Sequence, residues 1–263
     1  MSTTIALAGK GGVGKTTISG MVVKYLMQSR DGATLAIDAD PSSNLNMVLG
    51  LDLEWTVGDI RENLLSQVKQ SLTAGGAAMG ALNGGVSKRE FLDYEIRTAL
   101  SEGDRFDLIA MGKPEGQGCY CAVNHNLRDV IDAISKSYRY VVIDNEAGME
   151  HLARRTTRDV NHLLIVADPT HRGIVAAERI AGFRKEMDIN IENSYLILNR
   201  VPNNVIPPAL QARIDQMDLD LLGTVPADLQ LAEFEFSGRP LVDLGDDSPV
   251  YQAIAGMMGR ILE

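Results

Sequence analysis

The sequence contains little of what marks secreted or membrane-spanning proteins. It has two cysteines in 263 residues, which is too few for a disulfide framework. No apolar stretch approaches the roughly 20 residues that a membrane span needs. The chain leads almost at once into an apolar run, so no signal peptide is expected. These absences predict a cytoplasmic protein that does not bind a membrane.

Positive charge is also scarce. Lysine and arginine number 25 against 35 acidic residues, which gives a formal net charge of −10 at pH 7. Such a surface repels phosphate backbones, so no nucleic-acid partner is expected. A chain of this length can bury one large core, and residues 1–263 are predicted to form a single domain.

A phosphate-binding loop is the strongest signal in the sequence. Residues 3–17 read TTIALAGKGGVGKTT: an apolar run, a glycine cluster, and then the start of a helical pattern. The pattern fits G-x-x-x-x-G-K-[ST], in which glycines let backbone N–H groups converge on phosphate oxygens. The helix amino terminus adds positive potential. The predicted nucleotide-binding residues of the loop are Gly9, Lys10, Gly11, Gly12, Val13, Gly14, Lys15, Thr16 and Thr17.

A dinucleotide site is the rival interpretation of this loop. Three of its glycines also spell G-x-G-x-x-G, and Asp38 ends the next apolar run, where a ribose-binding acid would stand. Such a site needs neither Lys15 nor Thr16. A nucleoside triphosphate with Mg²⁺ needs both, because the lysine reaches the β- and γ-phosphates and the threonine ligates the metal. We therefore predict a triphosphate and Mg²⁺.

Apolar runs alternate with helical patterns along the rest of the chain. This order favours an α/β fold, a P-loop domain with a mostly parallel central sheet and helices on both faces. Residues 51–104 carry helical spacing around a glycine-rich stretch and are predicted as an insertion within the domain. Helices are expected over 15–29, 174–187 and 249–262. In the 174–187 helix, Ile180 and Phe183 are expected to face inward. The predicted strands are 5–8, 35–37, 106–111, 140–143, 163–167, 195–198 and 221–225.

The loop carries a second lysine, Lys10, directly after its first glycine. The sequence GKGGVGKTT resembles the deviant Walker A motif of the MinD/Mrp/nitrogenase-iron-protein ATPases. This resemblance implies that the nucleotide is ATP and that the protein hydrolyses it. It also implies that Lys10 reaches across a homodimer interface to the partner's nucleotide, so that Lys10 and Lys15 are both catalytic.

Three further site residues follow from the same resemblance. Asp40, in DPSSN, corresponds to the switch I acid that positions or activates the attacking water. The stretch DNEAGMEHL resembles the Walker B and switch II region. There Asp144 would bind Mg²⁺ through water, and Gly148 would sense the γ-phosphate. Capping of a strand end stays an alternative for Asp38 and Asp40.

The resemblance also implies two adenine contacts. Asn199 follows a predicted strand at the position where the family's asparagine holds the base. The backbone at Pro226, after the last predicted strand, would hold its other side. Strand-end capping is the alternative for Asn199.

The two cysteines, Cys119 and Cys121, stand one residue apart in a loop after the 106–111 strand. They are too close for a relaxed disulfide and too few to complete a tetrahedral metal site. A two-fold axis through this loop would supply four thiolates. Two unremarkable reduced thiols are the alternative.

The combination of motifs resembles the CooC/AcsF group of nickel-insertion accessory proteins. It consists of a deviant phosphate loop, C-x-C after the 106–111 strand, and AGMEHL. The resemblance implies Ni²⁺ or Zn²⁺ on the cysteine pair at a homodimer interface. It also implies a client nickel enzyme, carbon monoxide dehydrogenase or acetyl-CoA synthase, matured through nucleotide-driven dimerisation and metal transfer.

Two other functions compete with this hypothesis. A positioning ATPase of the MinD/ParA type would bind membrane or DNA, but the acidic composition disfavours it. The 249–262 helix also has Arg260 as its one cation and is expected to pack in the core. An iron–sulfur electron-transfer ATPase, like the nitrogenase iron protein, needs well-separated cysteines and is disfavoured by C-x-C.

Overall fold

An eight-stranded sheet forms the centre of the molecule. The computed structural model describes residues 2–73, 88–112, 129–147, 159–183 and 189–263. The strand order across the sheet is β3-β4-β2-β5-β1-β6-β7-β8, and only the β3–β4 pair is antiparallel. The α/β prediction is therefore confirmed. The strands are β1 (Thr3–Gly9), β2 (Thr34–Asp38), β3 (Ser101–Glu102), β4 (Phe106–Ala110), β5 (Tyr140–Asp144), β6 (Asp159–Ala167), β7 (Asn190–Val201) and β8 (Asp220–Pro226).

Helices cover both faces of the sheet, as predicted. Helices α1, α2, α8 and α9 share one buried apolar cluster with the sheet, and α3 to α7 share the other. Short 3₁₀ turns follow β7 and α8. The helices are α1 (Lys15–Ser29), α2 (Leu45–Leu49), α3 (Val57–Thr73), α4 (Lys88–Thr98), α5 (129–135), α6 (His171–Phe183), α7 (Pro208–Ile214), α8 (Leu229–Ser237) and α9 (Pro249–Ile261).

The alternation of side chains along a strand explains why both faces are apolar. In β1, Ile5 and Leu7 face the α1 side, and Ala6 and Ala8 face the α6 side. Central parallel strands are covered on both faces and therefore read as continuous apolar runs. This continuity made the strands visible in the sequence. The short helices α2 and α7 have no comparable pattern and were not predicted.

The carboxyl-terminal helix and α6 test two predictions about burial. Helix α9 buries Ile254 and Met258 against α1 and the sheet, which confirms a core helix. In α6, Ile180 is buried as predicted, but Phe183 is 46% exposed, so its inward placement was wrong. At about 100° per residue, Phe183 lies opposite Ile174, which anchors the buried side of the helix.

Helices α3 and α4 both fall within residues 51–104. Their apolar sides join the cluster that covers β2 and β4. That this region is an insertion stays a prediction. Among the described residues, no helix is both long and apolar enough to cross a membrane.

Candidate functional site

The phosphate loop lies at the carboxyl edge of the sheet, between the end of β1 and the start of α1. Gly12 and Gly14 have φ values of +79° and +91°, which side chains rarely allow. A Cβ on Gly9 would lie 2.4 Å from the carbonyl oxygen of Val166. The loop therefore needs glycine at these positions for its shape and for its packing against neighbouring strands.

Helix α1 begins directly at this loop. Within the described residues, no side chain caps its first turn, and that turn contains no acid. Its first N–H groups and the positive end of its dipole remain available to an anion. This arrangement suits a phosphate group.

The two lysines of the loop have different surroundings. Lys15 is buried, and its Nζ donates a hydrogen bond to the carbonyl oxygen of Lys10 over 3.4 Å. The Lys10 side chain is exposed and lines a groove of about 660 Å³ between the loop and α6. Arg172 and Arg179 line the same groove. Lys15 is thus placed inside the site, whereas Lys10 faces outward from it.

Asp144 ends β5 beside the start of α1. Its carboxylate is almost fully buried and accepts a hydrogen bond from Ser19 Oγ over 3.2 Å. Burial raises the pKa of Asp144 to about 6, although the hydroxyl of Thr16 and the charge of Lys15 act in the opposite direction.

The donor groups beside Asp144 fit Mg²⁺. A carboxylate and a hydroxyl are hard oxygen ligands, and Mg²⁺ usually takes one or two protein ligands plus water and phosphate. Burial is the main cause of the raised pKa of Asp144, and a divalent cation beside the carboxylate would favour its charged form. Thr16 and Asp144 would hold the metal, which would neutralise phosphate charge there.

Asp38 is the last residue of β2, which lies next to β5, and Asp40 follows two positions later. Asp38 stands opposite Asp144 in the register, and burial raises its pKa to about 7. The Asp38 carboxylate accepts backbone N–H groups from Asp40, at 3.1 Å, and Leu45, at 2.9 Å. Asp38 therefore caps the strand end, and both of its oxygens are engaged by the backbone.

The Asp40 side chain is partly exposed at the same edge. Its carboxylate accepts the N–H of Ser42 over 2.8 Å, within the turn that follows. The charge of Asp40 contributes to the raised pKa of Asp144, so the two carboxylates are within electrostatic reach. Lys15, Thr16, Asp40 and Asp144 therefore gather at one edge of the sheet.

Asn199, near the end of β7, contacts the phosphate loop itself. Its Nδ2 donates to the carbonyl oxygen of Val13 over 2.8 Å, and its Oδ1 accepts the N–H of Arg200. Arg200 Nη1 adds a bond to the carbonyl oxygen of Gly12 over 3.1 Å. Pro226 ends β8 opposite Val201. The two adenine contacts stay predictions.

Sequence reasoning missed two side chains that support the loop. One is Arg200, and the other is the buried Asn145, whose Nδ2 donates to the carbonyl oxygen of Leu7 over 2.8 Å. The available signal was their position at the ends of apolar runs, since Asn145 follows β5 and Arg200 comes soon after the predicted 195–198 strand. Nothing in the sequence indicated that these strands adjoin β1 or the loop.

Three predicted site residues, Gly148, Cys119 and Cys121, lie outside the described residues. Within the described part of the chain, no three His, Cys, Asp or Glu side chains gather as metal ligands. The prediction of Ni²⁺ or Zn²⁺ at the cysteine pair therefore stays a prediction.

Comparison with known proteins agrees with the loop geometry. Residues 4–241 match the model of the CobQ/CobB/MinD/ParA nucleotide-binding domain. The chain belongs to this family. The matched residues, which include β1, the phosphate loop and α1, therefore form a nucleotide-binding domain.

Curated relatives within the nucleotide-binding family include two of nearly equal length. An ATP-binding protein of Methanocaldococcus jannaschii is 37% identical, over 98% of both chains. The carbon monoxide dehydrogenase accessory protein CooC of Rhodospirillum rubrum is 31% identical, over 98% of this chain and 96% of CooC. The septum site-determining protein MinD of Bacillus subtilis is 25% identical, over 90% and 80%.

A solved structure from this family has the same fold. MinD of Pyrococcus horikoshii, complexed with Mg-ADP, superposes with a TM-score of 0.68. It is 22% identical, and the match covers 99% of this chain and 96% of MinD. The single α/β domain thus matches a fold that binds a nucleotide with Mg²⁺ in that protein.

Proposed function

We propose that this protein is an ATPase whose nucleotide cycle drives dimerisation and the transfer of a metal ion to a nickel enzyme. The observation that carries the ATPase part is the meeting of four side chains around the open amino terminus of α1. They are the buried Lys15, Thr16 beside Asp144, and the partly exposed Asp40. The loop amides and Lys15 bind the phosphates, and Lys15 stabilises charge on the transferred phosphoryl group.

The other residues of the site have separate roles in binding Mg²⁺ and in hydrolysis. Thr16 and Asp144 would hold Mg²⁺, which neutralises phosphate charge when it is bound. Asp40 orients the attacking water or accepts its proton, because it is a partly exposed acid within electrostatic reach of Asp144. Lys10 is exposed beside its own loop and completes the site of a second subunit.

Asp40→Asn tests the role of this acid. The variant should bind ATP with unchanged affinity and hydrolyse it about 10²- to 10⁴-fold more slowly, because the water loses its base. Single-turnover hydrolysis of bound ATP measures the rate, and calorimetric titration measures the affinity. Weakened ATP binding with unchanged hydrolysis per bound ATP would place Asp40 in another role.

The metal-transfer part rests on the cysteine pair and on the similarity to CooC. Two thiolates per chain fall short of a tetrahedral site. A homodimer that faces itself across its nucleotides could bring two pairs together. The exposure of Lys10 beside the loop supports such a dimer. In that arrangement ATP binding changes how the pairs meet, and metal changes ATP affinity in return.

Titration of Ni²⁺ or Zn²⁺ into anaerobic protein tests this proposal. We expect about one ion per two chains in wild type. Binding should be lost in Cys119→Ala and in Cys121→Ala, while ATP binding persists in both. One tightly held ion per chain that is indifferent to both substitutions would refute the shared metal site. A normal ATPase rate in the same samples would leave the ATPase assignment standing.

A further inference from the structure

The segment that carries Asp40 is fixed by backbone hydrogen bonds on either side of it. Residues 39–50, called here the switch segment, leave the sheet after β2 and continue into α2. The Asp38 carboxylate binds the N–H of Asp40 with Oδ1, at 3.1 Å, and the N–H of Leu45 with Oδ2, at 2.9 Å. One side chain thereby joins the start of the segment to the start of α2.

A carboxylate suits this pair of hydrogen bonds, because each of its two oxygens accepts one N–H group. Asp38 is 1% exposed, and burying a charged side chain is costly unless hydrogen bonds compensate it. Its neighbour across the sheet is a second buried acid, Asp144, which adds to the cost. Asparagine is the same size but offers one acceptor oxygen, so it can hold only one of the two N–H groups.

The orientation of Asp40 depends on the turn that Asp38 holds. The Asp40 carboxylate accepts the N–H of Ser42, and the N–H of Ser43 bonds the Asp40 carbonyl oxygen. If the turn shifts, the carboxylate shifts with it. We propose that Asp38 is a positioning residue, whose two backbone hydrogen bonds hold Asp40 in place for hydrolysis. This inference rests on the proposed ATPase function.

A second contact fixes the far end of the switch segment. Helix α2 packs on α1 at Gly20, where a Cβ would lie 2.2 Å from Val48 Cγ1. The segment is therefore held at Asp38 on the sheet and at Gly20 on the helix that follows the phosphate loop. Asp40 lies between these two points, so either anchor can displace it.

The experiment compares wild type, Asp38→Asn, Asp40→Asn and the double variant. In Asp38→Asn, hydrogen exchange should accelerate at the amides of Asp40 or Leu45, because one of the two bonds is lost. ATP affinity should stay within about twofold. Single-turnover hydrolysis should fall by up to about 100-fold, the effect of a reacting group displaced by about 1 Å. The double variant should be no slower than Asp40→Asn alone.

Asp246→Asn is the matched control. Asp246 is an exposed acid that pairs with Lys24 of α1 and lies outside the switch segment, so its substitution should leave hydrolysis and these two amides unchanged. If Asp38→Asn does not fold, Gly20→Ala displaces the other anchor. It should slow hydrolysis, and Val48→Ala should restore the rate by removing the clashing methyl group.

If the wild type hydrolyses ATP normally, each of three results would overturn the positioning role of Asp38 and leave the ATPase proposal in place. The first is an additive loss of rate in the double variant. The second is unchanged exchange at both amides, and the third is a loss of ATP affinity that accounts for the whole effect. A wild type that binds ATP without hydrolysing it would overturn both the ATPase proposal and the role of Asp38.

Discussion

Lys15→Ala should abolish ATP hydrolysis, with a loss of at least about 10³-fold. Lys15 is buried inside the loop, and its positive charge acts on the buried carboxylate of Asp144. Its removal leaves the negative charge of the phosphoryl group uncompensated in a site of low dielectric. Loss of one hydrogen-bond donor in such a site already lowers the catalytic rate by about 10²- to 10³-fold. A coupled phosphate-release assay measures the rate.

Lys136→Ala is the matched control for Lys15→Ala. Lys136 is an exposed lysine between α5 and β5, at the amino edge of the sheet and remote from the phosphate loop. Its substitution should change neither ATP affinity nor turnover. A Lys15→Ala protein with wild-type activity would contradict the assignment of the loop as the hydrolytic site.

Lys10→Ala should also abolish hydrolysis, but for a different reason. The side chain is exposed and faces the groove beside α6, so it is free to reach a second subunit. A cation supplied in trans to the transferred phosphoryl group is worth about 10³- to 10⁵-fold in rate. We expect ATP affinity of the monomer to be nearly unchanged, because Lys15 and the loop amides remain.

Mixing two inactive variants distinguishes a lysine that acts across the interface from one that acts on its own loop. Lys10→Ala keeps Asp40, and Asp40→Asn keeps Lys10. In a mixed dimer the Lys10→Ala subunit receives the missing lysine from its partner, so one of the two sites recovers. If mixing restores no hydrolysis while dimers form, the role of Lys10 across the interface is refuted.

The prediction of the phosphate loop from sequence succeeded because its chemistry is local. Gly12 and Gly14 occupy positive-φ positions that the sequence can satisfy only with glycine, and Lys15 follows at the first helical position. The flanking apolar runs correspond to strands buried on both faces. Such features depend on residues a few positions apart, so a short window of sequence contains them.

Placement of the supporting residues could not be predicted in the same way. Asn199 contacts Val13 across 186 positions, and Ser19 contacts Asp144 across 125. These contacts exist because β5 and β6 flank β1 and because β7 lies beyond β6. Strand order depends on how helices pack over the whole sheet. The sequence predicted which residues end the strands but not which of those ends adjoin.

Asp38 shows the difference between what the sequence predicts and what the tertiary structure decides. The sequence by itself determined an acid at the end of a buried strand, and it left strand-end capping as an open interpretation of that acid. The tertiary structure decided for capping, because the turn at residues 39–45 folds back so that two backbone N–H groups meet one carboxylate. It also placed that carboxylate opposite Asp144. Local composition determined the loop and the strands, whereas the packing of distant segments decided which polar groups share a site.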